Sequence, residues 1–240
     1  MFTQILHNTS QKLRHERKFA LNYGVYEIFK RRCNAVMKRD EYSIGEGYRI
    51  TSLYFEDIYR TAYKDKVGGY YKRRKFRIRA YNMNPDRIVL EGKVKEGEHV
   101  YKTTALLTQE EYEKLLRCDY GFCADRKELH GFYVWAKSTN LKPAVIVDYY
   151  REAFTETAGN VRITFDRDIS AGFGSADMFK ADYSPAYEYV VMEIKFDEFL
   201  PPYIQELFSG FALTEEPISK YLICADTASQ RRIQQVLGVI

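Results

Sequence analysis

The chain has 240 residues, with 37 Lys+Arg against 33 Asp+Glu and a formal net charge of +4. Hydrophobic residues make up 45% and charged residues 29%, which excludes a disordered or collagen-like chain and leaves ample length for a core. Cys33, Cys118, Cys123 and Cys224 show no C-x-x-C pairing, four scattered histidines give no zinc pattern, and no run approaches the ~20 apolar residues of a spanning helix.

Leu13–Ala20 alternates as a strand. A helix follows from about Tyr23 to Arg39, N-capped by Asn22, with Val25, Ile28, Phe29, Val36 and Met37 on one stripe. Tyr48–Phe55, Lys75–Tyr81, Ile88–Lys95 and Val100–Leu106 read as four strands. Thr108 and Glu111 form the capping box of a helix carrying Tyr112, Leu115 and Leu116. Another helix is expected from about Asp125 to Lys137. Strands then resume at Val145–Phe154, Val161–Asp166 and Tyr187–Phe196. Pro201-Pro202 opens a short helix through Phe208, and a last one starts near Ser219. Eight strands against four or five helices predict an α+β fold on an antiparallel sheet or barrel, in one domain over 1–240. The N-terminus lacks the continuous apolar core of a signal peptide, so a cytoplasmic protein is expected and the Asn8-Thr9-Ser10 sequon is read as chance.

In these strands the polar member of the alternation is usually a full charge. Arg14, Glu16 and Lys18 share one face, as do Lys75, Arg77 and Arg79; Glu91, Lys93 and Lys95; Arg162, Thr164 and Asp166; and Glu193 and Lys195. A sheet with one solvated face gives such a pattern strand by strand. Across five strands it is less apt, because solvated faces mix Thr, Ser, Gln and Asn with their charges. Closed into a barrel with these residues inside, the lumen would hold roughly nine cations and three or four carboxylates. Charges withdrawn from water need partners. The cation excess then calls for a polyanion, and the carboxylates suit a hard divalent metal. Arg forks match phosphate oxygens bidentately, and Lys serves as a point charge.

Other patterns carry less. Lys72-Arg73-Arg74-Lys75 with Tyr70, Tyr71 and Phe76 could suggest nucleic-acid binding, but a net charge of +4 gives no broad basic surface. No nucleic-acid partner is expected. Gly45-Glu46-Gly47 and Gly172-Phe173-Gly174 lack a third glycine, and no Walker A motif is present. The 21 tyrosines fit strand packing, with a few hydroxyls reaching the lumen.

The ordered set Arg14–Phe19, Tyr48–Glu56, Lys75–Tyr81, Leu90–Lys93, Tyr150–Phe154, Val161–Asp166, Val191–Lys195 and Ser219–Tyr221 resembles the vacuolar transporter chaperone (VTC) domain of the triphosphate tunnel (CYTH-like) superfamily. The resemblance implies an eight-stranded antiparallel tunnel with flanking helices, transferring the ATP γ-phosphate to a growing polyphosphate chain with Mn²⁺ or Mg²⁺. Carried over position by position, it makes Lys18, Arg77, Arg79, Lys93, Arg151, Arg162 and Lys220 the catalytic cations. Arg14, Ser52, Tyr54, Lys102 and Lys195 become substrate-binding residues, and Glu193, Glu16 and Glu91 metal ligands. ATP and polyphosphate are the implied partners, with a membrane partner open because this chain carries no spanning segment. Triphosphatases of the superfamily open with Glu-x-Glu-x-Lys, whereas the first acidic position here is Arg14, which tilts the reading towards transfer. A tunnel triphosphatase acting on inorganic, nucleoside or thiamine triphosphate is the close alternative. A non-catalytic polyphosphate- or inositol-phosphate-binding module is the other.

Overall fold

The computed structural model describes residues 14–43, 45–97 and 99–238. Leu13, expected to begin the first strand, and the sequon lie outside them. Strand β1 (His15–Leu21) buries Phe19 and Leu21, and by alternation turns Glu16 and Lys18 the other way. Helix α1 (Tyr23–Val36) starts where its cap predicts, with the Asn22 side chain accepting from the Val25 N–H at 2.9 Å. Its buried stripe is Tyr26, Phe29 and Cys33, however, and Ile28 and Val36 are exposed. The helix also stops short of Arg39, because Lys38–Arg39 forms strand β2 and pairs with Thr155 and Phe154.

Strand β3 (Tyr48–Glu56) is followed by an unpredicted short helix, α2 (Thr61–Val67), then by β4 (Lys72–Tyr81), β5 (Ile88–Glu96) and β6 (His99–Leu107). Helix α3 (Gln109–Leu116) carries the expected capping box, and Tyr112 and Leu115 are its buried residues. Helix α4 (His130–Thr139) begins later than expected, after a 3₁₀ turn at Gly121–Ala124. Strands β7 (Lys142–Glu156) and β8 (Val161–Phe173) run well past their predicted ends. The short strand β9 (Asp182–Pro185) was not predicted, and β10 (Val190–Phe196) follows it. Helices α5 (Pro202–Glu206) and α6 (Lys220–Val236) follow; α6 starts near Ser219 as expected, and the Ser219 side chain caps it.

β8 outruns its predicted end for a local reason. Its register against β7 shifts between Asp148 and Tyr150, and Asp168 adopts φ 55°. Such a bulge reverses the facing of the residues beyond it. Arg162, Thr164 and Asp166 share one face before the bulge, and Ile169 and Ala171 continue that face after it, packed with Val147 and Tyr149. Strict alternation cannot follow a strand through that change.

Eight strands form one antiparallel path in the order β1-β10-β8-β7-β3-β4-β5-β6, with β2 on β7 and β9 on β8. β1 and β6 are its two edges, so the expected barrel wall is present while its hydrogen-bonded ring stays open among the described residues. The wall nevertheless curls round. Lys93 of β5 and Lys102 of β6 both lie in the electrostatic field of Glu16 on β1 and Lys195 on β10, the opposite end of the path.

The convex side carries two apolar cores. One packs Leu53, Phe76, Ile78 and Leu90 against α3 and α4; the other packs Phe19, Ile163, Phe165 and Met192 against α1 and Ile204 of α5. A third cluster sits inside the curve. Ile50, Val147 and Tyr149 pack there against Tyr221, Cys224 and Ala225 of α6, so the C-terminal helix plugs one end of the concavity. All four cysteines are free thiols. Among the described residues, no helix is long and apolar enough to cross a membrane.

Candidate functional site

The charged faces of the strands come together on the concave side, and each has defined partners. On β4, Arg77 donates to Glu91 of β5 at 2.6 Å and to the Tyr54 hydroxyl of β3 at 2.8 Å. Arg79, next along the same face, reaches Glu91 at 3.6 Å, and its Nε donates to Ser52 Oγ at 3.2 Å. These contacts follow from register, since Ser52 opposes Arg79, Tyr54 opposes Arg77, and Arg77 opposes Glu91. Burial works against the Arg77 charge, but Tyr54 and Glu91 outweigh it and keep the guanidinium ionised. Burial likewise opposes the Glu91 carboxylate, and Arg77 and Arg79 hold its pKa below the ordinary value.

The opposite wall is built around Asp166, which has no solvent exposure. Arg151 of β7 grips it with two hydrogen bonds, at 2.6 and 2.7 Å, and Lys220 at the start of α6 donates to it at 2.6 Å. Both cations also lie over the Tyr149 ring, 5.3 and 5.1 Å from its centroid. Gly47 lets the preceding chain cross here. Its φ is +99°, and a Cβ would meet the Arg151 carbonyl oxygen at 2.2 Å.

Between the walls, Glu16, Lys18, Glu193 and Lys195 form a square across β1 and β10, where Lys18 opposes Glu193 and Glu16 opposes Lys195. Lys18 lies 2.7 Å from Glu16 and 3.8 Å from Glu193; Lys195 pairs with Glu193 and lies 3.7 Å from Glu16. Burial raises the pKa of Glu193, yet Lys195, Lys220, Lys18 and Arg151 together drive it far below the ordinary carboxylate range. Glu16 is also lowered: burial and Glu193 push it up, and Lys18 and Lys195 prevail.

A family model, the VTC domain, matches residues 13–228. The chain belongs to the VTC-domain family. Among solved structures, a putative adenylyl cyclase from Hippeastrum described as having a dominant triphosphatase activity shares the fold. Its TM-score is 0.53 at 12% identity, covering 88% of this chain and 95% of that one. A Pyrococcus horikoshii protein gives 0.49 at 15% identity over 90% and 99% of the two chains. A putative adenylate cyclase from Bacillus halodurans gives 0.47 at 14% identity over 95% and 91%. No curated protein matches.

In this VTC domain the concavity gathers most of the residues singled out from sequence, including Lys93 opposite Lys102 in the β5–β6 register. Two sit differently from the rest. Arg14 bonds Asp197 at 3.0 Å and the Asn160 carbonyl oxygen, at the start of β1. Arg162 bonds Asp40 at 2.9 Å and extends towards the Tyr48 hydroxyl at 3.4 Å. Three contributors were missed as site residues: Asp166, which anchors two of the cations, Tyr149 and Lys75. The Asp166 signal was present, since it alternates with Arg162 and Thr164. Lys75 stands 4.1 Å above the Tyr221 ring, a contact between β4 and α6 that no local pattern reports.

For a divalent metal, the described residues contain no cluster of three or more His, Cys, Asp or Glu side chains. Glu16 and Glu193 do face one another closely enough to repel, whereas Glu91 is saturated by Arg77 and Arg79. Two hard carboxylates fit the way Mg²⁺ and Mn²⁺ are held beside substrate phosphates, through one or two protein ligands.

Proposed function

We propose that this VTC domain is a metal-dependent phosphotransferase that moves the γ-phosphate of ATP onto a polyphosphate chain lying in the concavity. The observation that carries this reading is the charge balance of the lining. Among the described residues, Lys18, Arg77, Arg79, Lys93, Arg151, Lys195 and Lys220 converge on one face, where Glu16, Glu91, Asp166 and Glu193 are the acids that pair with them. A polyphosphate supplies the missing negative charge in repeating form.

Each group has a role in that reaction. Arg77 and Arg79, held in position by Glu91, Tyr54 and Ser52, present guanidinium forks to phosphate oxygens. Arg151 and Lys220 are fixed by Asp166 on the facing wall and clamp the transferring group from the other side. Lys18 and Lys195 now neutralise Glu16 and Glu193. Beside a bound triphosphate, Lys18 and Lys195 would pair with its oxygens, and Glu16 and Glu193 would be the residues to hold a Mn²⁺ or Mg²⁺ ion. That ion would supply charge neutralisation on the phosphates. Phosphoryl transfer passes through a loose transition state with charge on the equatorial oxygens, so positioned cations supply most of the catalysis. The attacking terminal phosphate of the chain is already ionised and needs no strong base.

A tunnel triphosphatase is the second reading, favoured by the likeness to the Hippeastrum protein. Water as acceptor calls for an activating group, and the position that triphosphatases fill with an acid holds Arg14, engaged by Asp197. Incubation with ATP and Mn²⁺, with and without a short polyphosphate primer, separates the two. ADP matched by long polymer supports transfer; ADP matched by free phosphate overturns it in favour of hydrolysis.

A further inference from the structure

Exposed apolar side chains are concentrated at one place on the molecule. Among the described residues, nine large hydrophobic side chains are at least 59% exposed, and all but Leu106 lie on or beside helices α2 and α6. Ile58 and Tyr59 precede α2, Val67 ends it, and Tyr70 and Tyr71 follow it. Ile233, Val236 and Leu237 stand at the far end of α6. The two groups share one face. The Tyr63 hydroxyl of α2 donates to Asp226 of α6 at 2.7 Å, and Ile58 and Arg60 line a groove with Ala228, Ser229 and Arg232. Ser229, Ile233 and Val236 follow one another at helical spacing, so the stripe lining that groove runs on into the exposed end of α6. The Tyr70 N–H donates to the Asp65 carbonyl oxygen at 3.1 Å, which turns the chain carrying the two tyrosines back onto the end of α2. A contiguous apolar surface of this kind marks an interaction site.

The charge of the face is one-sided. Arg60, Lys64 and Arg232 are exposed cations within it. The acids around it are engaged: Asp57 accepts from the Tyr59 and Thr61 N–H groups, Asp226 accepts from Tyr63, and Glu96 pairs with Lys72 at 3.0 Å. Glu56 is buried, and Asp65 lines a separate cavity with Arg74 and Trp135. We infer that this face docks on an anionic lipid bilayer, with its tyrosines and aliphatic tips in the headgroup boundary and Arg60, Lys64 and Arg232 against the lipid phosphates. Tyrosine, with an apolar body and a polar tip, suits that boundary. A nucleic acid is held by stacking on aromatic faces, which Ile58, Val67, Ile233 and Val236 do not offer. A second copy related by a two-fold axis would set the three cations against themselves, with no unengaged acid among the described residues of the face to answer them. The inference stands apart from the polyphosphate reading, because it uses none of the residues assigned to the concave face.

The test is co-sedimentation of the full chain with vesicles of phosphatidylcholine alone and of phosphatidylcholine mixed with phosphatidylglycerol. Wild type is compared with Tyr59→Ser/Val67→Ser/Val236→Ser and with Arg60→Gln/Lys64→Gln/Arg232→Gln. Thermal midpoints of both variants should stay close to wild type, because the altered side chains are exposed. Partition of the wild type to anionic vesicles should exceed that to neutral ones at least about tenfold, and either variant should lose at least about tenfold of it. Added salt should weaken the wild type more than the cation variant. Excess tripolyphosphate and the Arg77→Ala/Arg79→Ala variant separate this face from the concavity, and vesicle binding should survive both. Its loss under either assigns the lipid to the concave face and overturns the docking surface. Equal partition to neutral and anionic vesicles, or equal binding by wild type and both variants, overturns it as well. A wild type that ignores anionic vesicles overturns the bilayer outright; self-association, or binding of single-stranded DNA, that is lost in the same variants would then give the face to that partner.

Discussion

Asp166 holds two cations at once, and both would be stranded without it. Breaking one side of a buried ion pair typically costs about 3–5 kcal/mol. Asp166→Asn should therefore lower the thermal midpoint by roughly ten degrees, at about 2–4 °C per kcal/mol for a chain of this size. Tripolyphosphate, taking up the Arg151 and Lys220 charges, should restore part of that loss. An unchanged midpoint would show that the two cations find other partners. Arg77→Ala or Arg79→Ala should behave in the opposite way, cutting turnover by orders of magnitude while the midpoint holds or rises. Each leaves Glu91 one arginine and relieves the lining of a cation. The pair Glu56 and Lys75 makes a prediction about pH. Burial pushes the Glu56 carboxyl up to about 7, and burial with Lys66 pushes the Lys75 ammonium down to about 7. The unfolded chain ionises Glu56 near 4.5, so folding loses stability as pH rises from there to about 7. Lys75 has the reverse sign: the unfolded chain keeps its proton up to about 10.5, so stability is gained between about 7 and 10.5. Glu56→Gln should accordingly melt higher than wild type at pH 8 and close to it at pH 4.5. Melting curves that keep the same offset at both values would contradict the assignment.

At the scale of elements, helix α6 does two jobs. Its apolar side fills one end of the concavity, and its first turn delivers Lys220 to Asp166. Removal of the cap by Ser219→Ala should cost about 1 kcal/mol and weaken tripolyphosphate binding as well, because Lys220 directly follows the cap. A loss of stability with unaltered binding would separate the two jobs. Helix α2 is joined to α6 by the Tyr63 hydroxyl, which donates to Asp226 at 2.7 Å. These helices also mark where the sequence was hard to read. The caps at Asn22 and Thr108 and the helix start near Ser219 were legible because capping signals are local, and each proved to be a helix start. The seven residues of α2 bury no side chain, so they carry no apolar stripe to recognise. The stripe assigned to α1 was rotated because Tyr26, its most important buried residue, carries a hydroxyl that meets Glu152 in the core. The charged alternation on β1, β4, β5, β8 and β10 announced most of the site. Asp166 escaped a role because an acid among cations looks like a balancing charge until its two partners are seen to arrive from β7 and α6.

Taken as a whole molecule, the fold sorts its residues by side. Two of the three apolar clusters of the curled sheet lie outward under helices, while the charged faces of β1, β4, β5 and β10 turn inward beside the third, which α6 covers. Such an interior carries a standing cost in the free protein, because like charges oppose one another across β4, β5 and β6. Any anion that relieves this cost must stabilise the fold. The thermal midpoint of the full chain with and without tripolyphosphate, at low and high salt, reads that relief directly. At a concentration about 100-fold above Kd, binding contributes about 2.7 kcal/mol, a rise of several degrees that should shrink with salt and vanish in the Arg77→Ala/Arg79→Ala double variant. No rise, or an equal rise in that variant, would contradict the account of the concave face as a polyphosphate site.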